Sequence, residues 1–126
     1  MRYSKTIKKF EDLKVWSDAR TLVNTIYTIT SNSRFIADFS LKNQIQRSAV
    51  SVLSNIAEGF ERETDKEFIN FLAYSKGSAG ELRSQLYIAS DLGYINESEF
   101  KSISENVLEI SRQISGFIKY LKSSRK

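Results

Sequence analysis

Residues 43–62, NQIQRSAVSVLSNIAEGFER, carry apolar and polar positions in a helical rhythm. On a helix, Ile45, Ala49, Val50, Val52, Leu53, Ile56, Ala57 and Phe60 crowd onto one broad arc. Arg47, Ser51, Asn55, Glu58 and Arg62 fall on the other side, so a wide apolar face backs a narrow polar stripe. An arc this wide suggests burial against more than one neighbour. Glu58 and Arg62 also form an i,i+4 pair in the favourable order. The pattern predicts a helix over about residues 40–60, with Ser40 as its cap and Gly59 near its termination.

Upstream, Leu13, Trp16, Ala19, Val23, Ile26 and Thr30 recur at steps of three and four, with Leu22 and Ile29 widening the face. This predicts a first helix over about residues 10–31, with Glu11 and Asp12 in its first turn, where the helix dipole favours acids. Trp16 reads as a core anchor rather than a stacking platform. Residues 32–39 form a connection, from which Phe35, Ile36 and Phe39 are expected to fold back onto the bundle end.

The third helix is predicted over about residues 64–92. Thr64 and Glu67 make a capping box at its start, and Gly93 is placed to end it. Its core face holds Phe68, Phe71, Leu72, Ala79, Leu82, Leu86 and Ala89. Its middle is built of small residues: Ala73, Ser75, Gly77, Ser78, Ala79 and Gly80. Each mid-helix glycine costs about 1 kcal/mol relative to alanine. Gly77 and Gly80 therefore predict the close approach of another backbone, from the same chain or from a second subunit, with the same chain preferred.

A fourth helix over about residues 96–122 opens with Asn96 and Glu99, a second cap of the same type. Phe100, Ile103, Val107, Ile110, Ile114, Phe117 and Leu121 alternate steps of three and four. That heptad seam predicts near-parallel packing with a left-handed supercoil. Four long helices with short connections predict an all-α fold, an antiparallel up-down four-helix bundle forming one domain over residues 1–126.

Composition narrows the chemistry. The chain has no proline and only five glycines, so little interrupts helix. Without cysteine there are no disulfides or thiolate sites, and without histidine the commonest general base is missing. A di-iron centre with a Glu-x-x-His motif cannot be built. A carboxylate-only magnesium site around Glu58 or Glu81 is a distant alternative. Ser51, Ser54 and Ser78 have no histidine to activate them. The expectation is a protein that is not an enzyme and uses no cofactor. No apolar run approaches the roughly 20 residues of a membrane span, and the basic start MRYSKTIKKF precedes no apolar signal core. A cytoplasmic location is expected.

The net charge of +4 is unevenly placed. Arg2, Lys5, Lys8 and Lys9 lie within residues 1–9, and Lys119, Lys122, Arg125 and Lys126 within residues 119–126, with no acid among them. The body between has an excess of four acids. Two readings stand for the basic ends: solvated termini, or phosphate binding.

The stretches QRSAVSVLSNIAEGFER, FEDLKVW and KEFINFLAYSKGSAGELRSQLYIASDLGYI together resemble the four-helix-bundle family of 23S rRNA intervening-sequence proteins. Accessory variability proteins of diversity-generating retroelements are relatives. The likeness runs from Phe10 to about Tyr120 and departs at Leu53, where the family usually carries proline. It implies contact with RNA or DNA, or with a reverse transcriptase, and assembly as a ring-shaped homopentamer. It names no reaction.

The stripe Arg47, Ser51, Asn55 and Glu58 also has two readings, a solvated face or a tight polar contact. Serine and asparagine are poor helix formers, and a merely solvated face would favour Glu, Lys and Gln. The resemblance tips the stripe toward a subunit interface or central channel. For nucleic acid, the eight terminal cations are the candidate contacts, with Arg47, Arg62, Arg83 and Arg112 behind them. The expected function is a non-catalytic oligomeric scaffold associated with nucleic acid; the alternative is a protein–protein adaptor without nucleic-acid affinity.

Overall fold

The structure, a computed structural model, describes residues 7–123. A 3-10 turn at Phe10–Asp12 leads into α1 (Lys14–Ile29), a single-turn α2 (Ser33–Ile36), α3 (Phe39–Phe60), α4 (Asp65–Asp91) and α5 (Glu97–Ser123). The four long helices pack as a square: α1 on α3, α3 on α4, α4 on α5, and α5 back on α1. The all-α bundle is therefore the fold, and no strand occurs among the described residues.

Local sequence explains most of the boundaries. Thr64 Oγ1 accepts the Glu67 amide at 3.1 Å, opening α4. Asn96 and Glu99 exchange two hydrogen bonds of 2.8 Å to open α5. Gly93 takes φ 76°, which lets the Tyr94 amide reach Ala89 O and the Gly93 amide reach Ser90 O, closing the orphan carbonyls of α4.

Three expected details differ. Glu11 and Asp12 lie in the separate 3-10 turn, because Leu13 is extended (φ −82°, ψ 125°) and α1 starts only at Lys14. Asp38, not Ser40, caps α3: its Oδ1 accepts the Leu41 amide at 3.1 Å, and a carboxylate two residues earlier gives α3 one more half-turn. Of the three apolar residues in the connection, only Phe35 is buried. Ile36 is 52% and Phe39 71% exposed: the single turn of α2 presents only one side to the core, and Phe39 is the first residue of α3.

The heptad of α5 supplies Ile103, Val107, Ile110, Ile114 and Leu121 to the core, while Phe100 and Phe117 pack half-buried against it. Trp16 is likewise half-buried, its ring 5.1 Å from Phe10. Leu53 sits half-buried within the uninterrupted α3. Val50, which the periodicity put on the apolar arc, is 36% exposed.

Glycine use is reversed from expectation. A Cβ at Gly77 or Gly80 would meet nothing within 4 Å, so neither admits a close neighbour within this chain. Gly59 does. A Cβ there would stand 2.8 Å from Phe68 Cδ1 and 2.8 Å from Phe71 Cβ, so Gly59, one residue before α3 ends, is also a point of close approach to α4. The helix runs on through Phe60.

Candidate functional site

The α3–α4 seam is lined with small polar side chains. Ser51 and Ser78 hydroxyls meet at 2.8 Å, and the amide nitrogen of Asn55 donates to Ser51 O at 2.9 Å and Ser51 Oγ at 3.0 Å. Ser75, fully buried, donates to Val52 O at 2.7 Å. Half of the polar stripe thus turns inward, Ser51 to Ser78 of α4 and Asn55 back to Ser51 within α3. The other half does not: Glu58 pairs with Arg62 at 3.0 Å on the surface, and Arg47 is exposed.

Toward the start of α3 this seam opens into a groove of about 410 Å³ lined by Gln44, Arg47, Ser48, Ser51, Glu81 and Gln85. The residues sit at helical spacing on each side, 44, 47, 48 and 51 on α3 and 81 and 85 on α4. Ser48 Oγ donates weakly to Glu81 Oε1 at 3.4 Å. Gln85 is only 7% exposed, and its buried Oε1 has no hydrogen-bond partner. A buried acceptor left unmade costs about 1–3 kcal/mol. Among the described residues, Arg47 and Glu81 line the same groove without forming an ion pair.

A second groove, of about 300 Å³, lies between α4 and α5. Lys76, Ser115, Ile118, Lys119 and Lys122 line it. Ser115, Lys119 and Lys122 share one face of α5 at i, i+4 and i+7, and Lys76 faces them from α4. Among the described residues, none of the three lysines has a carboxylate partner, so the groove holds uncompensated positive charge.

The family model described as 23S rRNA-intervening sequence protein matches residues 11–116. The chain belongs to this family. A crystal structure from Bacteroides thetaiotaomicron, described as a protein of unknown function from the S23 ribosomal protein family, is similar at 26% identity with a TM-score of 0.77. The likeness covers 83% of this chain and 98% of that one. No curated protein matches the chain.

Against the residues singled out from the sequence, this family member brings some together and leaves others apart. Arg2, Lys5, Arg125 and Lys126 lie outside the described residues. Lys8 and Lys9 are exposed beside the 3-10 turn, and Lys119 and Lys122 are exposed on α5. The up-down order puts the start of α1 and the end of α5 at the same end of the bundle, so Lys8 and Lys9 share one pole with Lys119 and Lys122. The hydrogen bond from Gln113 to Asp18 at 2.8 Å ties α1 to α5. That bond first, and the Lys14 ion pair second, hold the Asp18 carboxyl below its usual range. Lys76 was not among the nucleic-acid candidates read from the sequence; only the antiparallel pairing of α4 with α5 places it beside them. Gln85 was missed as well, although a glutamine at a core-facing position of α4 was a signal. Of the reserve arginines, Arg62 and Arg112 are engaged with Glu58 and Glu109. No group of three acidic residues is placed to hold a metal ion among the described residues, around Glu58 and Glu81 included. None of the described helices is long and apolar enough to cross a membrane.

Proposed function

We propose that the protein is a non-catalytic scaffold that associates with nucleic acid, assembled as a homo-oligomer and, by family resemblance, as a pentamer. The observation that carries this reading is the Lys76–Lys119–Lys122 groove, without a carboxylate partner among the described residues, beside the pole that also carries Lys8 and Lys9. Lysines without acidic partners are free to take backbone phosphates, and neutralising phosphates releases counterions. The family's association with a 23S rRNA intervening sequence supports RNA as the first ligand to test. Repetition of the pole around a ring would raise local positive charge without any new contact.

Fluorescence anisotropy with labelled single-stranded RNA across a salt series tests the reading. Affinity should fall steeply with salt. Replacing Lys76, Lys119 and Lys122 with alanine should weaken binding and lower the salt slope by up to about one per lysine. Absence of binding at low salt overturns the scaffold reading. The adaptor reading then takes its place, supported by Ile36, Phe39 and Leu92, which stand exposed at the opposite end of the bundle.

A further inference from the structure

We propose that the α3–α4 groove is a base-reading pocket that takes one unpaired guanine of a bound single strand. The proposal rests on the nucleic-acid reading above and adds a base preference to it. It starts from the hydrogen-bonding capacity the groove leaves unused. Gln85 Oε1 is a buried acceptor without a donor. Glu81 accepts only the long hydrogen bond from Ser48, so its other carboxylate oxygen also has no donor among the described residues. Arg47 contributes a planar fork of donors without a carboxylate partner. The groove therefore calls for a ligand with adjacent donors on one edge and paired acceptors on the next.

Guanine has that arrangement. Its N1–H and exocyclic N2 amine are neighbouring donors on the Watson–Crick edge, suited to the Glu81 carboxylate and to Gln85 Oε1. Its O6 and N7 are acceptors that an arginine fork takes in a bidentate contact. Adenine and cytosine each offer a single exocyclic amine as donor there, and uracil one N–H between two carbonyls, so each leaves Glu81 or Gln85 unpaired. Glu81 and Arg47 are exposed and solvated, so the discrimination falls on Gln85, whose buried acceptor stays unpaired when a ligand lacks the second donor. Single-stranded RNA can present splayed bases on these edges. A groove of about 410 Å³ lies within the size range of small-ligand sites.

The test uses the full chain and short oligouridine RNA, unmodified or carrying one central guanosine, inosine or 7-deazaguanosine. Guanosine should tighten binding by about tenfold, the discrimination expected of a good bidentate base contact. Inosine, lacking the N2 amine, and 7-deazaguanosine, lacking N7, should each lose much of that gain. Glu81→Gln and Gln85→Leu should bring the guanosine RNA down to the level of the plain RNA, with thermal melts confirming that each variant folds. Lys76→Ala with Lys119→Ala should weaken both RNAs and keep their ratio. Equal binding of plain and guanosine RNA by the unaltered protein overturns the base pocket while the scaffold reading stands, and the groove then holds only water. A guanosine preference that survives Glu81→Gln also overturns it, since the base is then read elsewhere. Binding of neither RNA at low salt removes both readings.

Discussion

Helix α4 is shared by two seams of different construction. Toward α5 it meets branched aliphatic side chains repeated by heptads, with Val107, Ile110 and Ile114 in the core. Toward α3 it meets Ser48, Ser51, the Val52 carbonyl and Gly59. The first seam draws its stability from apolar area removed from water. The second gains proximity: small side chains and hydroxyls let two backbones come close, and hydrogen bonds then satisfy what closeness buries.

The largest expected effect falls on the aliphatic side. Ile114→Ala should lower unfolding free energy by about 2–5 kcal/mol, through lost burial and the cavity left behind. A denaturant melt with unchanged midpoint would place Ile114 outside the core. On the tight side, Gly59→Ala adds one methyl where Phe68 and Phe71 leave 2.8 Å, and should cost about 1–3 kcal/mol by overpacking. Were that variant as stable as the parent, the close approach of α3 and α4 would be refuted. Gly77→Ala and Gly80→Ala should do the reverse, each stabilising by about 1 kcal/mol, because a methyl there meets nothing within 4 Å. Light scattering belongs beside those melts. Higher stability with unchanged mass keeps the glycines away from a subunit contact, whereas reduced mass would reveal a second chain packed on them.

The smallest effect is electrostatic. The folded Asp18 carboxyl sits below its ordinary range, chiefly through Gln113 and then Lys14. A depressed carboxyl stabilises the fold fully above its unfolded value, near 4, and loses that contribution as pH falls through the folded value. Asp18→Asn should therefore be slightly less stable at neutral pH, by well under about 1 kcal/mol for so exposed a pair. The difference should vanish in strong acid. Parallel melts of the two proteins down the pH scale would read it, and a gap that widens on acidification would reverse the assigned sign.

Much of this architecture is legible in local sequence, for a physical reason. Capping boxes at Thr64 and Asn96, the left-handed Gly93 and the α5 heptad each act within a few residues, so spacing alone reports them. What spacing does not report is which neighbour a position faces. Gly59 and Gly77 are both glycines inside a helical pattern, yet only one has Phe68 against it. Ser40 and Asp38 both suit a cap, and Asp38, the one used, is also held by Tyr94, whose hydroxyl donates to Asp38 Oδ2 at 3.0 Å from far along the chain. Of the candidate site, Lys119 and Lys122 were visible as members of a basic end, but Lys76 joins them only once α4 and α5 are paired.

At the pole away from the chain ends, Asn32 donates to Tyr94 O at 3.2 Å, Arg34 to Gly93 O at 3.1 Å, and Tyr94 to Asp38. This clasp joins the two turns that reverse the chain there, while Ile7 and Ser123 lie toward the other pole. A molecule held by its two ends and pulled would thus be loaded like a zipper rather than a lap joint. The α1–α5 seam would open turn by turn from the basic pole, at low force. The clasp would bear no load until that peeling reached it, and the α3–α4 seam would open only after the clasp gave way.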